Sequence, residues 1–123
     1  LPACSRRQPA ERNGMSDLAQ KKCQPCEGGV SPLKADEIAL LMKRLKGWSY
    51  TGSVLTKTFE FRNYHETMAF VNATAWISQR EDHHPDLSVS YNKCRVDYIT
   101  HAIGGLSEND FICAAKIDSL FEI

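Results

Sequence analysis

Two of the chain's four histidines sit side by side in Glu81-Asp82-His83-His84-Pro85-Asp86, and a third, His101, follows two strand-like segments later. An imidazole gains or loses its proton near neutral pH, so it can serve as acid or base in the range where most chemistry runs. Three of them lining one pocket would supply an acid, a base and an orienting donor. The sequence contains no GxSxG, no glycine-rich phosphate loop and no HExxH, which leaves proton transfer as the simplest reaction class. A three-histidine zinc site built from His83, His84 and His101 is the competing functional reading. It is awkward, because neighbours in extended chain point to opposite faces. The blander alternative is that these are surface or structural histidines.

Other polar candidates have simple structural explanations. Asp110 stands three residues after Ser107, the N3 position of a capping box. His65 falls in the first turn of a helix and reads as solvated. Cys23-Gln24-Pro25-Cys26 supplies only two of the four ligands of a structural zinc, and no second pair follows at finger spacing. Without a strand before it, a thioredoxin-type role is poorly supported, and two free thiols in a loop is the simplest reading.

The elements that must position the histidines follow from periodicity. Ser31-Pro32 opens a first helix in which Ile38, Leu41, Met42 and Leu45 form one apolar stripe, ended by Gly47. Trp48 then reads as a core anchor. A short strand at Ser49–Thr51 turns at Gly52-Ser53 into a second over Val54–Phe61, where Leu55, Phe59 and Phe61 alternate with Thr56, Thr58 and Glu60. Asn63, with Glu66 three residues on, starts a long helix expected over Tyr64–Arg80. Met68, Val71 and Ala75 make one stripe on it, Phe70, Ala73 and Ile77 a second, and Trp76 adds to the apolar surface. Two stripes imply cover on two sides, one from the sheet and one from another subunit.

Pro85 disfavours helix in the residue before it, so His83-His84 ends the long helix. Strands are expected over Leu87–Tyr91, with Leu87, Val89 and Tyr91 on one face, and over Cys94–His101, with Cys94, Val96 and Tyr98 facing the core, and a turn at Asn92-Lys93. Gly104-Gly105 breaks the chain. A last helix runs from Ser107 to about Phe121, with Phe111, Ala114, Ala115, Ile117 and Leu120 as its stripe. The class is therefore α+β: a four-stranded antiparallel sheet with helices on one face, in the order α-β-β-α-β-β-α.

Composition bounds the rest. The chain's 123 residues make one domain, 42% hydrophobic and 24% charged. Lys+Arg and Asp+Glu are both 15, which speaks against electrostatic binding to nucleic acid or an anionic membrane. An odd cysteine count of five suits reduced thiols in the cytoplasm. No apolar run approaches the ~18 residues of a transmembrane helix, and no signal-peptide core is present. Residues 1–30 are polar, broken by Pro and Gly and without apolar period, and are expected to be a mostly disordered leader to a domain over 31–123. Met15-Ser16-Asp17-Leu18 reads as a natural start, with Leu1–Gly14 a vector-derived or upstream extension.

Several of these residues together resemble a family. Asp82-His83-His84-Pro85, Tyr91, Thr100-His101, Gly105-Leu106-Ser107-Glu108 and Asp110 are similar in order and spacing to the signature of pterin-4a-carbinolamine dehydratases. Cys23-Gln24-Pro25-Cys26-Glu27-Gly28-Gly29, Pro32-Leu33 and Leu45-Lys46-Gly47-Trp48 resemble the leader of bacterial-type members. The resemblance implies dehydration of 4a-hydroxytetrahydropterin to quinonoid dihydropterin, which recycles the pterin of aromatic amino-acid hydroxylases. It implies His83 and His101 as the acid/base pair and His84 as the residue that binds and orients the pterin. Asp82 and Thr100 would add polar contacts to the ring edge, and neither cofactor nor metal would be needed. Asp110 comes with the signature, although capping is its simpler role. The resemblance also implies a homodimer or homotetramer through the Tyr64–Arg80 helix. It carries an alternative as well: an oligomeric interaction module acting as a transcriptional coactivator. The sequence departs from the family at Gln79, where an acidic residue is common; Glu81 and Asp82 are close enough to compensate.

Overall fold

The structure, a computed structural model, describes residues 15–25 and 31–122. Four strands form one antiparallel sheet: β1 (Ser49–Thr51), β2 (Val54–Glu60), β3 (Asp86–Val89) and β4 (Lys93–Tyr98), in the spatial order β1-β2-β4-β3. Among the described residues four α-helices accompany it: α1 (Met15–Gln20), α2 (Ala35–Met42), α3 (Tyr64–Glu81) and α4 (Glu108–Asp118). The α+β class and the single antiparallel sheet are as the alternation predicts. The order gains one helix, because α1 precedes the expected series.

Alternation decides which face of the sheet is buried. Leu55, Phe59, Cys94, Val96 and Tyr98 point under the helices, while Thr58, Glu60, Lys93 and Arg95 are exposed on the other face. Trp48 is the expected core anchor: its indole N–H donates to Asp118 Oδ2 at 3.0 Å. β3 is shorter than the expected Leu87–Tyr91 and lies at the sheet edge, where Val89 and the following Tyr91 are exposed. The turn before β4 is correspondingly Ser90–Asn92, and Lys93 already pairs with Glu60. β4 stops at Tyr98, and His101 begins a 3-10 turn, His101–Ile103, instead of ending the strand.

The helices depart from expectation where hydroxyl side chains replace apolar ones. α2 starts at Ala35 with Lys34 as N-cap, Lys34 N donating to Glu37 Oε1 at 2.8 Å, so Pro32 lies outside the helix. α3 opens on Asn63, which accepts from Glu66 N at 2.9 Å, but the Glu66 carboxylate accepts from Arg62 N at 3.0 Å rather than from Asn63 N, so only half of the expected capping box forms. Its buried face, however, is Thr67, Phe70, Thr74 and Ser78. The three hydroxyls satisfy themselves on carbonyls of the preceding turn, at Asn63, Val71 and Thr74 respectively, so they can be buried without a cost in lost hydrogen bonds. Met68 and Val71 are only half-buried, and Ala75 is exposed.

The leader reading fails for residues 15–25. α1 forms there, and Leu18 is completely buried against α4. Lys116 Nζ donates to Ala19 O at 2.6 Å and Lys21 pairs with Glu108 at 2.7 Å. A single buried leucine in a six-residue helix leaves no period to read. With α1 on its outer side, α4 is buried almost all round: Ile112 and Cys113 join the expected Phe111, Ala114, Ala115 and Ile117, whereas Leu120 is partly exposed in a terminal 3-10 turn. Residues 1–14 and Cys26 lie outside the described residues, and with them half of the CxxC. No helix among the described residues is long and apolar enough to cross a membrane.

Candidate active site

The end of α3 is built to turn His83 inward. Asp82 adopts a left-handed conformation (φ 51°, ψ 45°), the usual way to terminate a helix, and both its N–H and that of His83 return to Ser78 O. Outside glycine, Asp is among the residues that tolerate this region best. The His83 ring then lies parallel to Tyr98 at the end of β4, with centroids 5.8 Å apart and planes 4° from parallel. Its Nε2 meets Asp110 Oδ1 at 2.6 Å.

Asp110 carries more than a helix cap. The capping box is present, with Ser107 N donating to Asp110 Oδ2 at 2.9 Å. The same oxygen accepts from Thr100 Oγ1 at 2.8 Å, and the other faces His83. The carboxylate is completely buried, so these donors replace the water it has lost. The capping-only reading of Asp110 therefore misses its second face. Thr100 is also buried; its hydroxyl proton goes to Asp110, and its oxygen lies 2.8 Å from Ser107 Oγ. A tight loop holds these groups: Thr100 pairs with Gly105, and Leu33 N donates to Leu106 O at 2.9 Å. Only glycine fits at 105, since a Cβ would sit 2.8 Å from Pro32 Cβ.

An open cavity of about 770 Å³ lies over this junction. His83, His84, His101, Asp82 and Thr100 all line it. His83 is half-buried; His84, His101 and Asp82 are exposed on its wall. Among the described residues no group of three or more His, Cys, Asp or Glu side chains is arranged to hold a metal ion. His65 is exposed on the first turn of α3.

Part of the cavity wall comes from a segment that periodicity could not find. Lys22, Cys23, Gln24 and Pro25 line it. Cys23 N donates to Glu81 Oε1 at 2.9 Å, and Gln24 N donates to Asn109 Oδ1 at 3.0 Å. Burial alone would push the Glu81 carboxyl up. The Cys23 N–H together with Lys116 and Lys22 outweighs burial and holds it below the usual range. Burial pushes the Tyr98 phenol well above its ordinary value, with the nearby Cys113 and Asp110 adding to the effect. Tyr98 is thus a neutral platform under the imidazole. Gln79 is exposed one turn back on α3; the acidic side chains at this end are Glu81, tied to Cys23, and Asp82.

The family model described as pterin 4 alpha carbinolamine dehydratase matches residues 31–120. A Nitrosospira multiformis protein, provisionally named a pterin-4-alpha-carbinolamine dehydratase, is 66% identical over 109 residues, covering 89% of this chain and 96% of its own. The crystal structure of a transcriptional coactivator/pterin dehydratase from Brucella melitensis superposes with a TM-score of 0.70 at 26% identity, covering 73% of this chain and 98% of that one. A pterin dehydratase-like protein identified as a RuBisCO assembly factor in the alpha-carboxysome superposes less closely, with a TM-score of 0.52 at 27% identity over 60% of this chain and 88% of that one. On the family match and the extent of identity, this chain belongs to the pterin 4 alpha carbinolamine dehydratase family.

Proposed function

We propose that the cavity dehydrates a 4a-hydroxytetrahydropterin to the quinonoid dihydropterin by histidine acid/base catalysis. The observation that carries this reading is the placement of His83 in a cavity shared with His84 and His101, its Nε2 held by a buried carboxylate in a chain of this family. The reaction needs a proton delivered to the departing 4a-hydroxyl and one removed from N5, with the N5–H electron pair closing the new C4a=N5 bond. Asp110 accepting from Nε2 would leave Nδ1 of His83 as the nitrogen for the substrate and would hold the ring in one tautomer. His101, exposed on the wall of the same cavity, is the partner acid or base; exposed His84 binds and orients the pterin, and Asp82 adds a polar contact. Thr100 acts through Asp110, since its hydroxyl proton is engaged there.

The test is a stopped-flow spectroscopic assay on freshly generated 4a-hydroxytetrahydropterin. Wild type should accelerate dehydration well above the spontaneous rate. His83→Ala should lose about 10²–10⁴-fold of that acceleration, the usual contribution of a positioned acid or base. A folded His83→Ala and a folded His101→Ala that both keep full activity would overturn the assignment.

A second reading rests on α3. Trp76 is 67% exposed, and Met68, Val71, Ala73 and Ile77 are only partly covered. An exposed indole beside partly covered aliphatic side chains favours a homo-oligomer through Tyr64–Arg80. Light scattering on Trp76→Glu tests this. Loss of a dimer or tetramer supports the oligomer; an unchanged mass removes α3 from the interface.

A further inference from the structure

Two thiols meet where residues 15–25 dock on α4. Cys23 Sγ and Cys113 Sγ are 3.5 Å apart, although 90 positions separate them in sequence. Their surroundings hold them face to face. Leu18 is buried on one side, Lys116 Nζ grips Ala19 O, and Cys23 N is held by Glu81. Cys113 is completely buried, whereas Cys23 is half-buried and lines the open cavity. A reagent in that cavity reaches Cys23 first.

The hydrogen bonds give the two sulfurs different roles. Cys23 S–H donates to Asn109 O at 3.7 Å. In the contact between the sulfurs either thiol can be the donor. That contact, followed by burial, raises the Cys113 thiol far above its ordinary range, so it stays protonated beside Cys23.

We propose that Cys23 and Cys113 form an oxidant-sensitive pair, which a hydroperoxide entering the cavity converts to a disulfide that fastens residues 15–25 to α4. In the first step the Cys23 sulfur attacks one peroxide oxygen and the O–O bond breaks. With hydrogen peroxide the second oxygen leaves as hydroxide, takes up the Cys23 thiol proton and departs as water, and Cys23 becomes a sulfenic acid. In the second step the Cys113 sulfur attacks Cys23 and the S–O bond breaks. The hydroxide leaves with the Cys113 proton as a second water. Two thiols lose two electrons in total, and one peroxide takes them up. Closing the sulfurs to bonding distance requires about 1.5 Å of approach, which a short surface segment supplies more readily than a core element. Neither step uses the histidines or Asp110.

The experiment is peptide mapping of the purified full chain, oxidised with hydrogen peroxide at about pH 8, where ordinary thiols begin to ionise, then alkylated and digested with trypsin without reductant. The cross-linked product joins peptide 23–34 to peptide 96–116. Because Cys26 shares the first peptide, the Cys26→Ser variant is decisive: the link should persist there and vanish in Cys23→Ser, whose half-buried position tolerates the change. It should also be lost from the native pattern when oxidation is done in urea. Cys94, buried in β4 with its thiol pushed up by burial, serves as the internal control and should remain alkylatable only after unfolding. Pairing of Cys23 with Cys26 alone, oxidation of Cys23 to the sulfinic acid without a link, or no reaction at Cys23 in the folded Cys26→Ser chain would each overturn the proposal.

Discussion

Replacing Asp110 by asparagine tests how the site is wired. The side chain keeps its shape, so the outcome depends on donors and acceptors. Three donors converge on the carboxylate: Ser107 N at 2.9 Å, Thr100 Oγ1 at 2.8 Å and His83 Nε2 at 2.6 Å. The Ser107 N–H cannot become an acceptor, so the amide oxygen must stay on that side and its NH2 must turn to His83. Nε2 then has to accept, and the proton of a neutral imidazole moves to Nδ1. The exchange weakens two charge-assisted bonds and inverts a third. Charge-assisted bonds contribute about 1.5–3 kcal/mol each and neutral ones about 0.5–1.5 kcal/mol. Relief from burying a charge offsets part of the loss, giving a net destabilisation of about 2 kcal/mol and a midpoint lower by roughly 10 °C.

The catalytic effect should be larger than the structural one, because the wrong ring nitrogen would now carry the proton in the cavity. We expect kcat to fall by roughly 10²-fold or more with KM little changed. Nitrogen-15 shifts of the His83 ring read the tautomer directly, calorimetry gives the midpoint, and the dehydration assay gives kcat. A variant that keeps the Nε2–H tautomer and its turnover would refute the claim that Asp110 sets the protonation of His83.

Two other substitutions probe the segment over the cavity. Glu81→Gln should cost about 1 kcal/mol at pH 7, where the carboxylate holds Cys23 N. Because the folded carboxyl lies below its unfolded value, that stability is present above about pH 4.3 and is lost as pH falls through the folded pKa. Urea unfolding at pH 7 and near pH 3 should show the gap between parent and variant closing; a constant gap would mean that charge plays no part. Leu18→Ala should destabilise the chain by about 1–3 kcal/mol, less than many core leucines because a short terminal segment can undock by itself. A change below about 0.5 kcal/mol in the same unfolding assay would show that α1 adds nothing to the core.

Much of the fold was legible because its signals are local. Alternation in Val54–Glu60 and Lys93–Tyr98 marks the buried face of the sheet, and Asn63 and Ser107 announce their helices through neighbours three residues away. Reading failed where burial was achieved by polar side chains or by a lone apolar one. Thr67, Thr74 and Ser78 face the core on α3 because each hydroxyl is satisfied by its own helix, which no apolar period reveals. Tyr91 and Val89 alternate correctly yet lie exposed, because alternation does not say that β3 is an edge.

The candidate site divides in the same way. By itself the sequence determined the class of the fold, the residues able to move protons and the breaks that free them from regular structure. These depend on side-chain chemistry and on neighbours within one or two turns. Only the tertiary structure decided that Asp110 faces His83, that Tyr98 lies beneath it and that Cys23 closes over the cavity beside Glu81, Asn109 and Cys113. Each of those contacts joins residues many turns apart in the chain. They form only because burying the apolar faces of α1, α4 and the sheet brings their polar ends to one place.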